Sequence, residues 1–413
     1  MNILIWHPIY VLGGGLQILL NLAKHIAQND QINSVHAVIS ANYDKSVLSY
    51  LQSYGITVQL VRTTKFISYY AEKSDVIYVI WPHGIRDFHF SKPSVCIYQD
   101  TIWADSYGAH STSVFIQSMD SHLHDVCNGY SRIIVTSEYT KKRISELVKG
   151  QFDHKIIVIP HVATEAFEVL GGNFALPNHL EPQNYLFYPA NVAEHKNHLA
   201  LVKALVLRKS KKIKLVCCGY GTEQLADAAL SQNPYINILK KYISDNDLLS
   251  SGDLIALGYL NDQHVQYLLD NALGLIMPTR AEGMGLPVHE AINKKLPVIA
   301  SSIPVFKEHF EHRSQSILWI DPDSPNSIAI AWDHLCAERD HFFQLAKLNL
   351  DSNCNWEDIC ERTILLFREA AKSFCPTAPP SEKFKPLSSF CSVKTYVKKA
   401  VKKCLMCLGL SGY

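Results

Sequence analysis

Leu273-Gly-Leu-Ile-Met277 runs into Pro278-Thr-Arg-Ala-Glu-Gly-Met-Gly-Leu-Pro-Val-His-Glu290, then Ala291-Ile-Asn-Lys-Lys295, then Leu296-Pro-Val-Ile-Ala-Ser-Ser302. In order, this is an apolar run of strand length, a turn marked by Gly and Pro, a helical pattern over 288–294 and a second apolar run at 297–300. Together they predict a β-α-β unit, whose strands are parallel, joined by a right-handed crossover and covered on both faces.

The same alternation extends outward in both directions. Upstream, short β-branched runs at 2–6, 35–40, 75–81, 95–99, 132–136 and 155–159 are interleaved with helical patterns such as 16–28 and 138–148. A polar stretch with Gly171, Gly172, Pro177 and Pro182 interrupts the pattern, which then restarts with strands at 185–188, 213–218, 254–257, 273–277, 297–300 and 317–320. Helices are expected between them at 199–207, 222–232, 263–271, 288–294 and 325–339. The chain therefore reads as α/β, with two Rossmann-like doubly wound domains at 1–170 and 185–355 joined by a linker at 171–184. Strand carboxyl ends and domain interfaces are where such folds bind, so the cleft between the two halves is the expected ligand site.

Composition agrees with a globular protein of two to three domains: 413 residues, 47% hydrophobic and 19% charged. A formal charge of +1 argues against whole-protein attraction to nucleic acid. Eleven cysteines, an odd number without framework spacing, fit a reducing compartment. Met1-Asn-Ile-Leu-Ile-Trp6 shows no signal-peptide pattern, and no run reaches the ~20 apolar residues of a spanning helix. A cytoplasmic protein, at most peripheral on the inner face of a membrane, is expected.

The turn after 273–277 carries the chemistry. Gly283 and Gly285 let backbone approach a ligand closely, Pro287 suits the start of a helix at about Leu286, and amides near Gly285 and Leu286 would face an anion. Glu290, expected in the first helical turn, can accept hydrogen bonds from vicinal hydroxyls, while Glu282 precedes the turn. Two carboxylates flanking an amide-lined pocket suit a ligand with hydroxyls on both sides of its phosphates, such as a nucleotide sugar. The other reading makes Glu282 a solvated loop residue and Glu290 an ordinary helix carboxylate.

Glu282-x7-Glu290 within Pro-x-x-x-Glu-Gly-Met-Gly-Leu-Pro-x-x-Glu-Ala resembles the signature of the retaining GT-B glycosyltransferases of family 4. The resemblance continues in Tyr188-Pro-Ala-Asn-Val-Ala-Glu-His-Lys-Asn-His198, Gly258-Tyr-Leu260, Val135-Thr-Ser-Glu-Tyr-Thr-Lys-Lys142 and Ile159-Pro-His161, and covers most of 1–373. It implies that Glu290 holds a ribose, that Glu282 contacts the donor sugar with Gly283, Met284, Gly285 and Leu286 around it, and that Lys196 and Asn197 face the diphosphate. Tyr259 and Leu260 would pack against the nucleobase, Gly14 and Gly15 would form a glycine loop facing the second domain, and 356–373 would be a helix crossing back over the first. Many relatives carry an Arg five residues before the Lys. Here Asn191 stands there, leaving charge neutralisation to Lys196 and the amides.

Asp100, at a predicted strand end in Tyr98-Gln-Asp100, is implied as an acceptor-hydroxyl contact; relatives often have His-Asp where Gln99-Asp100 stands. A capping or turn Asp is the alternative, and His83 is a second strand-end candidate. Gly13-Gly14-Gly15 alone reads equally as a flexible turn. His122-Leu-His-Asp125, His309-x-x-His312 and Cys404-x-x-Cys407 lack spaced partner sets, so no metal and no cofactor are expected. The tail 374–413 is basic, with seven Lys against one Glu over 376–413. Over 394–409 its lysines and apolar residues fall at near-helical spacing, which reads as a peripheral helix for an anionic membrane surface, or as a solvated tail. The expected partners are thus a nucleotide-sugar donor, a saccharide or lipid-linked saccharide acceptor and that membrane surface, with no nucleic acid.

Overall fold

The computed structural model describes residues 1–62, 67–83, 85–86, 90–106, 113–163, 180–210, 212–350, 354–374 and 385–386. The linker lies mostly outside these residues, and the 394–409 helix and Cys404-x-x-Cys407 wholly outside them. The first sheet has seven strands: β1 (Asn2–His7), β2 (Ser34–Ser40), β3 (Thr57–Val61), β4 (Val76–Val79), β5 (Ser94–Ile97), β6 (Arg132–Val135) and β7 (Ile156–Val158). Their order is β3-β2-β1-β4-β5-β6-β7, all neighbours parallel, with Ile3 of β1 opposite Val35 on one side and Val76 on the other.

The apolar run of β1 is buried on both faces, and its period of two divides the core. Ile3 and Ile5 point to the layer holding helices Gly14–Gln28 and Trp356–Ser373, while Leu4 and Trp6 point to the layer with Tyr98 and Trp103. The C-terminal helix is anchored at its start by a capping box between Asn355 and Asp358. Trp356 Nε1 donates to the Ala163 carbonyl at 3.1 Å, and Arg362 to the Val158 carbonyl at 2.7 Å.

The second sheet has six strands: β8 (Tyr185–Pro189), β9 (Lys214–Cys218), β10 (Leu254–Ala256), β11 (Gly274–Met277), β12 (Val298–Ser301) and β13 (Ile317–Ile320), in the order β10-β9-β8-β11-β12-β13. The strand order of each sheet thus reverses once, between β1 and β4 in the first and between β8 and β11 in the second. The doubly wound, two-sheet expectation holds.

Some local expectations fail. Residues 222–232 are read as a helix, but only a 3-10 turn forms, Thr222–Leu225, and the helix is Pro234–Asp245. Asn233 caps it by accepting from the Tyr235 amide at 3.0 Å, and Pro234 at its start bars the residue before it from helical geometry. The 325–339 helix forms as Pro325–Ala337, while a further, unexpected helix, Arg339–Lys347, follows after Glu338. Helices Lys45–Ser53 and Ser113–Gly129 and strand β3 are missed.

Candidate active site

A doubly wound sheet opens a crevice where its strand order reverses, because the loops leaving the two strands there go to opposite faces. In the second sheet those are the loops after β8 and β11, which carry Lys196 and Glu282. Backbone bonds stitch them together: the His195 carbonyl accepts from the Arg280 amide at 2.8 Å and the Thr279 hydroxyl at 3.0 Å. The result is an ion pair, Lys196 Nζ to Glu282 Oε1 at 2.5 Å, with side chains only 16% and 8% exposed.

Asn197 does not do what the motif implies. It is fully buried in left-handed geometry, its amide donates to the carbonyls of Pro278 at 3.0 Å and Pro322 at 2.6 Å, and it does not line the cavity. It holds the wall that presents Lys196, because a side chain serving two carbonyls behind the loop has no donor left for a ligand.

After Glu282 the chain turns sharply. Gly285 caps the helix Leu286–Asn293 with φ +85°, and a Cβ there would sit 3.1 Å or less from the Phe306 ring. That position needs glycine on both counts. The amides of Gly285 and Leu286 have no acceptor among the described residues, and Pro287, the second helical residue, has no N–H. They leave a small anion-facing nest at a helix start. Glu290 is the fifth helical residue, in the second turn rather than the first, because the helix begins at Leu286. Its carboxylate accepts from Gln266 Nε2 at 3.3 Å.

The first domain closes the other wall. The two domains enclose a cavity of about 750 Å³, lined by Gly14, Gly15, Asp100, Lys196, Tyr259, Leu260, Glu282, Gly283, Met284, Gly285, Leu286 and Glu290. That size suits a small-molecule ligand. Gly14 approaches closely enough that a Cβ would lie 3.2 Å from Leu286 Cδ1. The segment leading into this glycine turn is pinned by the Tyr43 hydroxyl, which accepts from the Val11 amide at 3.1 Å and lies 2.9 Å from His7 Nε2.

Asp100 meets both of its readings: its Oδ1 accepts from the Ile102 amide at 3.1 Å, capping a short turn, and it still borders the cavity. Burial, aided by the nearby Glu282, raises its carboxyl to about 6 against the restraint of the Ile102 bond. His83 is buried among Trp81, Tyr98 and His122, does not line the cavity, and is pushed down to about 4 by burial. It is a packing residue.

Contacts among the described residues join the walls. Thr136 Oγ1 donates to the Gly283 carbonyl at 2.9 Å, Gln17 Nε2 donates to Asp262 Oδ2, and the Glu308 carboxylate accepts from the amides of Glu138 at 2.7 Å and Tyr139 at 2.9 Å. Sequence reading missed Gln17, Asp262, Gln266 and Glu308. Nothing in their local pattern distinguishes them from polar helix residues, since each acquires its role from a partner far away in the chain. Among the described residues no group of three or more His, Cys, Asp or Glu is gathered for a metal, and no helix is long and apolar enough to cross a membrane.

Residues 174–346 match the family model described as Glycosyl transferases group 1. An uncharacterised glycosyltransferase of Methanocaldococcus jannaschii is 26% identical over 120 residues, 28% of this chain and 30% of that protein. O-antigen chain mannosyltransferase B of Escherichia coli is 23% identical over 205 residues, 47% of this chain and 49% of that one. The matches therefore span less than half the length of these curated relatives. The Anabaena protein HepE, solved in complex with UDP and glucose, is similar with a TM-score of 0.62 at 14% identity, over 90% of this chain and 99% of that one. The fold is GT-B.

Proposed function

We propose that this chain is a glycosyltransferase that moves a hexosyl or deoxyhexosyl unit, mannose-like or rhamnose-like, from a nucleoside diphosphate sugar to a saccharide or lipid-linked saccharide, with retention. The observation that carries the proposal is the convergence at one switch point of Lys196, Glu282 and the free amides of Gly285 and Leu286, facing a cavity that spans both domains. The matched family model covers this region, and the named role of the Escherichia coli relative supports a place in cell-surface polysaccharide synthesis.

In this reading Glu290 accepts the ribose hydroxyls and the amides of Gly285 and Leu286 hold the diphosphate. Lys196 leaves Glu282 to neutralise charge on the departing phosphate, and Glu282, so released, accepts from a hydroxyl of the donor sugar. Stabilising a leaving group with preplaced donors is worth about 10²–10³ in rate per donor. No described side chain is poised as a nucleophile, so catalysis rests on leaving-group stabilisation and on positioning between the closed walls.

The test is turnover of a panel of nucleoside diphosphate sugars with and without saccharide acceptors, the product anomer being read by NMR. Transfer with retention that drops at least 100-fold in Glu282→Ala and Lys196→Ala is expected. Turnover without acceptor would make it an epimerase or hydrolase of the same fold, binding without turnover a nucleotide-sugar-binding protein, and unchanged transfer in both variants would sink the roles assigned.

A further inference from the structure

We propose that His161, His289 and His309 form a proton-operated lock on domain closure: the closed cleft accepts them only as neutral rings, so that acid opens it. The lock acts on the two walls themselves and holds for any ligand between them.

His161 follows β7 in the first domain, is 1% exposed and borders the cavity, its ring centroid 5.6 Å from that of Trp356. His289 and His309 belong to the second domain, on helices Leu286–Asn293 and Pro304–Phe310, with ring centroids 5.8 Å apart. Both helices dock on the first domain. Leu286 packs against the core cluster that holds Ile159, Val162 and Trp356, and Glu308 accepts from the amides of Glu138 and Tyr139. The three rings therefore gather where the walls meet, close enough that His309 disfavours charge on His161 and both disfavour it on His289.

Their bonding suits neutral rings. His289 Nδ1 lies 2.8 Å from an Arg313 guanidinium nitrogen, which can only donate, so Nδ1 accepts and the ring carries one proton. Nε2 of His289, Nε2 of His309 and Nδ1 of His161 are buried with no partner among the described residues. A charged imidazole donates from both nitrogens, and each ring here would bury a donor without an acceptor, which is costly. Burial comes first in holding all three below the ordinary 6.5, His161 at about 4. Arg313 adds to the effect on His289 and His309, and Glu308 opposes it on His309. Other charges on the packed helices are engaged elsewhere: Glu290 with Gln266, Lys307 with Glu311, Arg143 with Asp105 and Glu146, and Glu357 with His25.

Opening the cleft returns the rings to water and to about 6.5. The open form then binds more protons, so closure is fully favoured above that value and weakens as pH falls below it. At pH 5.5 each ring opposes closing by about tenfold. Asp100 and Asp262, which border the cavity and are raised to about 6 by burial, push the other way, each by at most about fourfold at that pH. Three rings outweigh the two carboxylates, and one ring does not.

Small-angle scattering of the full chain between pH 7.5 and 5.0 tests the lock, in wild type, His309→Gln and the double variant His161→Gln/His309→Gln, with circular dichroism at each pH. The wild-type radius of gyration should rise as pH falls below 6.5 while helicity holds. His309→Gln should rise less, and the double variant, left with one ring against two carboxylates, should stay flat. If the double variant does not fold at pH 7.5, His309→Gln, whose ring is partly exposed, decides alone. A wild-type radius constant over the range, a rise accompanied by loss of helicity, or an undiminished rise in His309→Gln overturns the lock.

Discussion

Removing Lys196 and Glu282 together should cost less than the sum of removing each. Their atoms lie 2.5 Å apart with side chains 16% and 8% exposed, so neither charge is fully hydrated when its partner is gone. Breaking a buried pair from one side costs about 3–5 kcal/mol, and the residual exposure of Lys196 puts this pair at the low end. Lys196→Met, which strands the more buried carboxylate, should therefore lose about 3 kcal/mol, and Glu282→Gln about 2 kcal/mol. The double variant strands no charge and should lose no more than the worse single, giving a coupling of at least about 2 kcal/mol, well above the ~0.5 kcal/mol scatter of independent sites. The measurement is urea unfolding of the four proteins followed by circular dichroism, fitted with separate transitions for the two domain cores and checked for constant slope. Saturating nucleoside diphosphate should lower the coupling, because Lys196 then turns to phosphate. Additivity within ~0.5 kcal/mol without ligand would refute the pair and with it the claim that these loops hold each other's charge.

Gly285→Ala forces a Cβ into φ +85° and against Phe306, and should cost about 1–3 kcal/mol while reducing any nucleotide-induced rise in Tm; an unchanged Tm would show that the turn relaxes freely. Glu308→Ala removes the carboxylate that caps helix Glu138–Leu147 from the other domain, worth about 1–2 kcal/mol. Small-angle scattering should then show a larger radius of gyration, and an unchanged profile would mean that closure does not depend on it. Asp100, raised from 3.8 to about 6, binds its proton more tightly folded than unfolded, so its contribution to stability falls as pH rises from about 4 through 6. Asp100→Asn should gain on wild type in Tm across that window and hold the gain above it; a difference independent of pH would be inconsistent with the raised carboxyl.

Much of the architecture was legible because it rests on local periodicity. Apolar runs at 2–6 and 273–277 are long enough for strands and apolar on both faces, and only a covered parallel sheet accepts that. The turn at Gly283–Gly285 could be placed because left-handed backbone and a helix start are written in Gly and Pro. Errors fell where local propensity and tertiary context compete. Residues 222–232 contain good helix formers, yet Asn233-Pro234 fixes the start of the helix after them. Asn197 has the right neighbours for a donor contact, yet it is spent on two carbonyls.

By itself, then, the sequence determined the six strands of the second sheet, the Gly285 turn and the carboxylate spacing of Glu282 and Glu290, since each is fixed by residues a few positions apart. Only the tertiary structure decided that Lys196 pairs with Glu282, that Glu308 caps a helix of the other domain, and that Gln17 and Asp262 meet across the cavity. Those contacts span 86, 170 and 245 positions of chain, a distance over which no periodicity carries information and only the sheet order and domain closure bring charges together.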